Sequence, residues 1–235
     1  MVMRLPVRFS APLAAIAALA ICAGICAQAQ STAAPTAGNG TYIAVDPLAL
    51  VRYDNRFDVS LGMAYDHMKA GPNLLQGSNL GGLDLSGSYW FAKHWAVEGT
   101  GRGYVGTSGA APNSVSIKGP FVSQYIFAAG PEWLGPHNKH GALIAHALVG
   151  GAYGKFEQDL RGYSPSVVGF YNDQTAPAAI VGGHIDLNRS ARWVFRITPD
   201  AVMTHYSTNY GTKASQYDVN FAISVGVEYK FKKKR

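Results

Sequence analysis

The chain has 235 residues and a formal net charge of +6, and its two cysteines, Cys22 and Cys26, lie in an apolar N-terminal segment. Removal of that segment would leave no thiol, which excludes disulfides, thiolate metal sites and cysteine nucleophiles. Beyond it no run of about 20 apolar residues follows, so the sequence predicts no transmembrane helix.

Residues 1–29 are predicted to be a signal peptide. Arg4 and Arg8 supply the positive start, residues 11–23 are apolar, and Ala27-Gln28-Ala29 has the small-x-small form of a cleavage site. Loss of Arg4 and Arg8 would take the formal charge from +6 to +4. The alternative is an uncleaved N-terminal membrane anchor.

Residues 30–56 are predicted to form a flexible periplasmic N-terminal segment. Residues 31–40 are rich in Ala, Pro, Gly and Thr, which favours a flexible chain. Residues 42–56 contain apolar positions suited to a short strand, but Pro47 interrupts them. We expect this part to pack near the base of the following domain.

Residues 57–231 show an apolar or aromatic residue alternating with a small or polar one, which is typical of strands in a membrane β-barrel. The clearest segment is residues 57–66, where Phe, Val, Leu, Met and Tyr alternate with Asp, Ser, Gly, Ala and Asp. The fold class is therefore predicted as all-β, an eight-stranded antiparallel transmembrane β-barrel preceded by a signal peptide. The predicted strands are 57–68, 82–92, 95–107, 121–133, 142–156, 177–187, 192–206 and 217–231.

The connections between these strands alternate between short and long. Short turns on one side and long loops on the other are the outer-membrane arrangement, with periplasmic turns and extracellular loops. The short turns centre on 93–94, 134–140 and 188–191, and the long loops are 69–81, 108–120, 157–176 and 207–216.

Odd-numbered strand positions are predicted to face lipid, with aromatic rings near the short turns forming a headgroup-level girdle. The girdle residues are Phe57, Tyr89, Phe91, Trp95, Trp133, Trp193, Phe195, Tyr229 and Phe231.

Even-numbered positions carry charged groups that are acceptable only in a polar interior. Because eight strands enclose a lumen that side chains fill, we predict an internal network of ion pairs and hydrogen bonds. The predicted lumen network is Asp58, Asp84, Glu98, Arg102, Arg196, Asp200 and Glu228.

The segment Ser88-Tyr-Trp-Phe-Ala-Lys-His-Trp-Ala-Val-Glu98 resembles the second hairpin of OmpA-like eight-stranded outer membrane protein β-barrel domains. Residues 182–186, 192–204 and 220–231 are similar to that family too. The resemblance spans about residues 57–231 and implies an integral outer-membrane protein with a structural or surface-interaction role. Four basic residues follow Phe231, where such barrels often end on the aromatic that the assembly machinery reads.

His205, Ser207 and Asp218 are weak candidates for a catalytic site. His205-Tyr206-Ser207 resembles the His-x-Ser pair of lipid A 3-O-deacylases, also eight-stranded barrels, in which Ser is the nucleophile and His the base. Asp218 is the nearby carboxylate, but its parity turns it inward. We therefore expect no enzyme, with a deacylase-like hydrolase and a narrow pore as the alternatives.

The remaining predictions concern ligands and partners. His146 and His184 are inward-facing, and we expect them to be hydrogen-bonded lumen residues with no metal or other cofactor, a pair of metal ligands being the alternative. The basic tail, residues 232–235, is expected to be solvated near anionic headgroups, with no nucleic acid bound. We expect a monomer in a Gram-negative-type outer membrane, with lipid, lipopolysaccharide, the barrel-assembly machinery and an extracellular loop partner as its contacts.

Overall fold

The computed structural model describes residues 46–72, 74, 76–109, 117–207 and 218–231. The predicted signal peptide, residues 30–45 and the basic tail lie outside this part of the chain. Eight antiparallel strands form one closed barrel in sequence order, which confirms the predicted eight-stranded antiparallel β-barrel. They are β1 (Phe57–Met68), β2 (Ser78–Trp90), β3 (Trp95–Thr107), β4 (Phe121–His137), β5 (Gly141–Lys155), β6 (Gln174–Asn188), β7 (Trp193–Thr204) and β8 (Asp218–Phe231).

The strand bounds agree with the sequence pattern best where the alternation is cleanest. The first and third strands have the predicted bounds. The second begins four residues earlier than predicted, at Ser78, and the fourth continues to His137. The seventh ends at Thr204 rather than 206. These errors fall at strand ends, where the alternation does not fix how far backbone pairing continues.

Closure joins the first strand to the last. Phe57 pairs with Tyr89 of β2 on one side and with Phe231 of β8 on the other. A register shift between Leu134 and His137 marks a bulge or irregularity in β4, close to the short turn at residues 138–140. A closed barrel leaves no unpaired strand edge.

The outer face of the barrel is apolar, as the odd-position pattern predicts. On β1 every second side chain is exposed and its neighbour is buried over most of the strand. Phe127 and Val149 are 69% and 70% exposed, although both are apolar. Such a surface is unusual in water and is suited to lipid.

Aromatic side chains are concentrated near both ends of the barrel. At the short-turn end, Phe57 packs on Tyr89 with ring centroids 5.0 Å apart, and Trp193 packs on Tyr229 at 4.9 Å. Toward the long-loop end another exposed set comprises Tyr65, Phe121, Tyr125, Tyr153 and Phe221. Two such belts match the two interfaces of a bilayer.

The interior has two zones. Charged and polar side chains fill the middle and the short-turn half, whereas the long-loop half is apolar. The apolar zone contains Met68, Leu80, Tyr104, Ile126, Leu148, Phe156, Phe170, Tyr171, Ile180, Val202 and Tyr206, among others. The predicted lumen network does not include this apolar half.

The long connection between β5 and β6 contributes to the apolar zone. It contains a four-residue helix, α1 (Pro165–Val168), which ends at Gly169 in the left-handed conformation. Phe170 and Tyr171 follow, each only 1% exposed. In the part of the chain that the structure describes, no helix is both long and apolar enough to cross a bilayer.

Residues 46–56 lie against the short-turn end. The Tyr53 hydroxyl donates a hydrogen bond to the carbonyl of Asn138 at 3.1 Å. Lys139 forms an exposed ion pair with Asp46 at 3.1 Å. A hydrogen bond from the backbone N–H of Leu48 lowers the pKa of Asp46, and the hydrogen bond from Lys139 lowers it further. These contacts place the described part of the N-terminal segment beside the turn at residues 138–140.

Candidate functional site

The central feature of the lumen is Arg102, which projects inward from β3. Its guanidinium lies 3.5 Å from Oδ1 of Asp84 on the neighbouring strand and 2.6 Å from Oδ2 of Asp200 on β7. Asp84 also accepts hydrogen bonds from Thr100 at 2.9 Å and Ser224 at 2.8 Å. This group connects four strands across the barrel.

A second group surrounds His146 of β5. Its Nδ1 lies 2.7 Å from Oε2 of Glu98, and its Nε2 lies 2.9 Å from Oδ1 of Asp200. His184 of β6 places its Nε2 3.2 Å from the same Glu98 oxygen, and its Nδ1 2.8 Å from the Thr198 hydroxyl. Asp200 therefore links the two histidines and Glu98 to Arg102.

Glu98, His146 and His184 form the one cluster of possible metal ligands found in the described residues. One ligand atom from each lies within 4.8 Å of the other two, and all three residues are buried. The sequence placed each of these residues inside the lumen, but no local spacing relates them, because they come from three different strands.

A third group lies nearer the short turns and is organised by Arg196 of β7. Its guanidinium contacts Asp186 at 2.8 Å and 3.0 Å and approaches Glu228 at 3.0 Å. The bidentate contact with Asp186 is the strongest geometry available to an arginine.

A cavity of about 300 Å³ opens at the short-turn end below this group, lined by Trp90 and Ile144 among others. Three lumen carboxylates line it, namely Asp58, Asp186 and Glu228. Asp58 accepts a hydrogen bond of 2.6 Å from the Trp90 indole. The cavity therefore brings solvent-accessible space next to buried acidic groups.

The seven residues predicted for the lumen network are all buried in the barrel. Six lie in the three groups around Arg102, His146 and Arg196, and Asp58 lies at the cavity. The sequence did not identify the apolar zone at the other end. The sequence does contain an indication of this apolar zone, because even-numbered positions near the long loops are apolar, for example Leu80, Ile126 and Val202.

The apolar zone contains two buried tyrosines in the loop region. Tyr171 donates a hydrogen bond to Oδ2 of Asp218 at 2.5 Å, and the Gln124 amide donates one to the Tyr206 hydroxyl at 3.0 Å. Burial raises the pKa of Tyr171, and its hydrogen bond to Asp218 raises it further. Burial also raises the pKa of Tyr206. Both phenols stay neutral well above the pH at which a free tyrosine ionises.

Two residues of the hydrolase alternative, Asp218 and Ser207, contact other side chains in the structure. Asp218 faces the lumen and is bound to Tyr171. Ser207 is exposed, and its hydroxyl donates to the side-chain oxygen of Gln174 at 3.1 Å. His205 is half-buried beside Tyr206. The carboxylate needed to orient a histidine base is thus engaged inside the barrel.

No protein-family model and no curated protein matches this chain. Solved structures do match it. OprG from Pseudomonas aeruginosa is 15% identical, with 78% of this chain and 99% of that chain covered and a TM-score of 0.50. Neisserial surface protein A is 14% identical, with 74% and 97% covered and a TM-score of 0.50.

The fold is that of a small outer-membrane β-barrel. Ail, the attachment invasion locus protein of Yersinia pestis, is 20% identical over 75% of this chain and 99% of that chain, at a TM-score of 0.46. At these identities the likeness concerns the fold alone. The resemblance to OmpA-like barrels in particular stays a prediction.

Proposed function

We propose that this chain is an integral outer-membrane protein whose barrel is a closed scaffold, with the long-loop end as its working surface. One observation carries the proposal: the closed barrel is apolar outside and holds its charged strand residues inside. This is the reverse of a water-soluble barrel, and it satisfies every constraint that a bilayer places on a strand protein.

The interior supports a scaffold over the pore alternative. Phe156, Phe170, Tyr171 and Tyr206 are each no more than 1% exposed and belong to one buried cluster at the long-loop end. Ring centroids of Phe156 and Tyr206 are 5.1 Å apart. An apolar, close-packed mouth of this kind opposes the passage of water and ions.

The same packing supports a surface role for the long connection between β5 and β6. Its buried residues anchor it in the mouth, while Tyr163 and Val167 stay exposed at 46% and 59%. A rigid loop that displays apolar side chains is suited to contact with another protein or with lipopolysaccharide, because it loses little conformational entropy on binding. Insertion itself would depend on the barrel-assembly machinery.

Cysteine labelling tests the proposal, because the mature chain is expected to contain no cysteine. We expect Gln158→Cys, in the long β5–β6 connection, to react with a membrane-impermeant maleimide on intact cells. Lys93→Cys, in the short turn between β2 and β3, is expected to react only after the outer membrane is permeabilised. Both positions are exposed in the structure.

The wild type is the background control and should stay unlabelled. Labelling of Lys93→Cys in intact cells, with Gln158→Cys protected, would show that the barrel has the opposite orientation in the membrane. Recovery of the protein in the soluble fraction, rather than with the outer membrane, would overturn the proposal as a whole.

A further inference from the structure

We propose that Glu98, His146 and His184 form a buried binding site for a divalent transition-metal ion, zinc being the best fit. This reverses our expectation from the sequence that the two histidines serve only as hydrogen-bonded lumen residues. The inference does not depend on the proposed function, because it concerns the barrel interior.

The interior of the barrel contains more acidic than basic side chains. Nine carboxylates are buried in the described residues, against three Lys and Arg side chains, which are Arg102, Arg196 and Lys230. The buried carboxylates are Asp58, Asp66, Asp84, Glu98, Glu132, Asp186, Asp200, Asp218 and Glu228. Burial of unpaired negative charge is costly, and a bound dication would offset part of it.

The three ligand atoms have the spacing of a coordination shell. His146 Nδ1 and His184 Nε2 are 3.3 Å apart. Glu98 Oε2 lies 2.7 Å from His146 Nδ1 and 3.2 Å from His184 Nε2. Zinc binds imidazole nitrogen and carboxylate oxygen at roughly 2.0–2.2 Å. An ion about 1 Å above the plane of these atoms reaches all three at that distance.

The outer contacts of both histidines are those that metal-binding imidazoles require. Asp200 receives the Nε2–H of His146 at 2.9 Å, which leaves Nδ1 as the nitrogen facing the cluster. The Thr198 hydroxyl lies 2.8 Å from Nδ1 of His184, which leaves Nε2 facing the same point. Carboxylate or hydroxyl partners of this kind fix the tautomer of a ligating histidine.

A fourth ligand is available from Glu132. It is fully buried, and its Oε1 lies 4.0 Å from Nε2 of His184, too far for a hydrogen bond. It pairs in register with His146 across β4 and β5. Both of its carboxylate oxygens lack a hydrogen-bond partner among the described residues. Glu132 would complete a tetrahedral set of two nitrogens and two oxygens.

The cavity of about 300 Å³ at the short-turn end reaches a neighbour of the proposed site. It is lined by both acidic and basic side chains, among them Asp58, Glu228 and Lys230. Ile144 also lines it and is the register partner of His184.

The test uses the mature chain, residues 30–235, which contains no cysteine, refolded as a barrel in detergent, stripped with chelator and dialysed against zinc. We expect one tightly held zinc per barrel by elemental analysis. X-ray absorption is expected to show two imidazole ligands with zinc–nitrogen distances of about 2.0–2.1 Å.

Three variants assign the site. His184→Ala and Glu98→Gln should each lose the one zinc ion that the wild-type barrel binds. Thr198→Val, which removes only the hydroxyl partner of His184, should weaken zinc affinity about 10–100-fold. Folding of each is checked by the heat-dependent shift of the barrel on gels. If His184→Ala does not fold, Thr198→Val and the absorption spectrum of the wild type decide the question.

A surface pair provides the matched control. His94 and His137 have ring centroids 5.9 Å apart beside the short turns and could bind zinc adventitiously. The double variant His94→Ala/His137→Ala should still bind one zinc ion at the buried site. The proposal fails if the wild type holds no zinc, or if the zinc disappears with this surface pair and persists in His184→Ala.

Discussion

Arg102 of β3 and Asp200 of β7 form an ion pair across the lumen, with Nη2 2.6 Å from Oδ2. The two strands are not neighbours in the sheet, so the pair joins opposite walls of the barrel. Both side chains are almost completely excluded from solvent, at 2% and 0% exposure. Screening by water, which weakens surface ion pairs, is therefore small here.

Arg102→Ala should lower the free energy of unfolding by about 3–5 kcal/mol, because it leaves Asp84 and Asp200 buried without their cation. Urea unfolding of the barrel in lipid vesicles measures the change. Arg189→Ala, at an exposed turn position, is the control and should shift stability little. Equal stability of Arg102→Ala and the wild type would indicate a hydrated lumen instead of a packed, ion-paired one.

The closing seam between β1 and β8 depends on a close approach at Gly226. A Cβ atom there would lie 2.1 Å from the carbonyl oxygen of Leu61 and 2.4 Å from Cα of Gly62. We expect Gly226→Ala to destabilise the barrel by about 1–3 kcal/mol or to reduce the yield of folded protein.

Gly81 of β2 is the matched control for this substitution. A Cβ atom at Gly81 would meet nothing within 4 Å. Gly81→Ala should therefore fold with normal yield in the same refolding assay. Equal yields for both variants would show that the seam can open to admit a methyl group.

The stability of the long-loop end should fall at high pH because of Tyr171. Its folded pKa is raised above the unfolded value of about 10, so the unfolded chain loses this proton first as pH increases. One such tyrosine lowers the free energy of unfolding by about 1.4 kcal/mol per pH unit above pH 10, until the folded pKa is reached.

Tyr171→Phe should make that decline shallower, while costing about 1–3 kcal/mol at pH 8 because Asp218 loses its donor. Tyr163→Phe, at an exposed position of the same connection, is the control and should keep the stability of the wild type at pH 8. Chemical unfolding at pH 8, 10 and 11 gives both slopes. A steeper decline in Tyr171→Phe would contradict the assigned role of the buried phenol.

The position of Asp218 in the apolar zone predicts the outcome for the hydrolase alternative. Asp218, the carboxylate that a Ser–His site would use to orient its histidine, accepts a hydrogen bond from Tyr171 inside the barrel. We expect Ser207→Ala to leave the lipid A of expressing cells unchanged, as measured by mass spectrometry. If the wild type removes an acyl chain and Ser207→Ala does not, the protein is an enzyme.

The amino-acid sequence by itself determined the strands and their two faces. Side chains alternate across a strand with period two, so Phe57 and Asp58 must lie on opposite sides whatever the rest of the chain does. Strand number, the inward direction of Asp218 and the burial of Glu98 and Arg102 all follow from this local rule, and the structure agrees with each.

Only the tertiary structure decided which inward residues meet. Glu98 and His146 are 48 residues apart, and their contact depends on the stagger at which the strands close into a barrel, a property of the whole sheet. The burial of Tyr171 requires the connection between β5 and β6 to fold into the mouth, which alternation within strands does not encode. The ion pairs, the apolar mouth and the proposed metal ligands all arise at this level, because each depends on distances across the lumen.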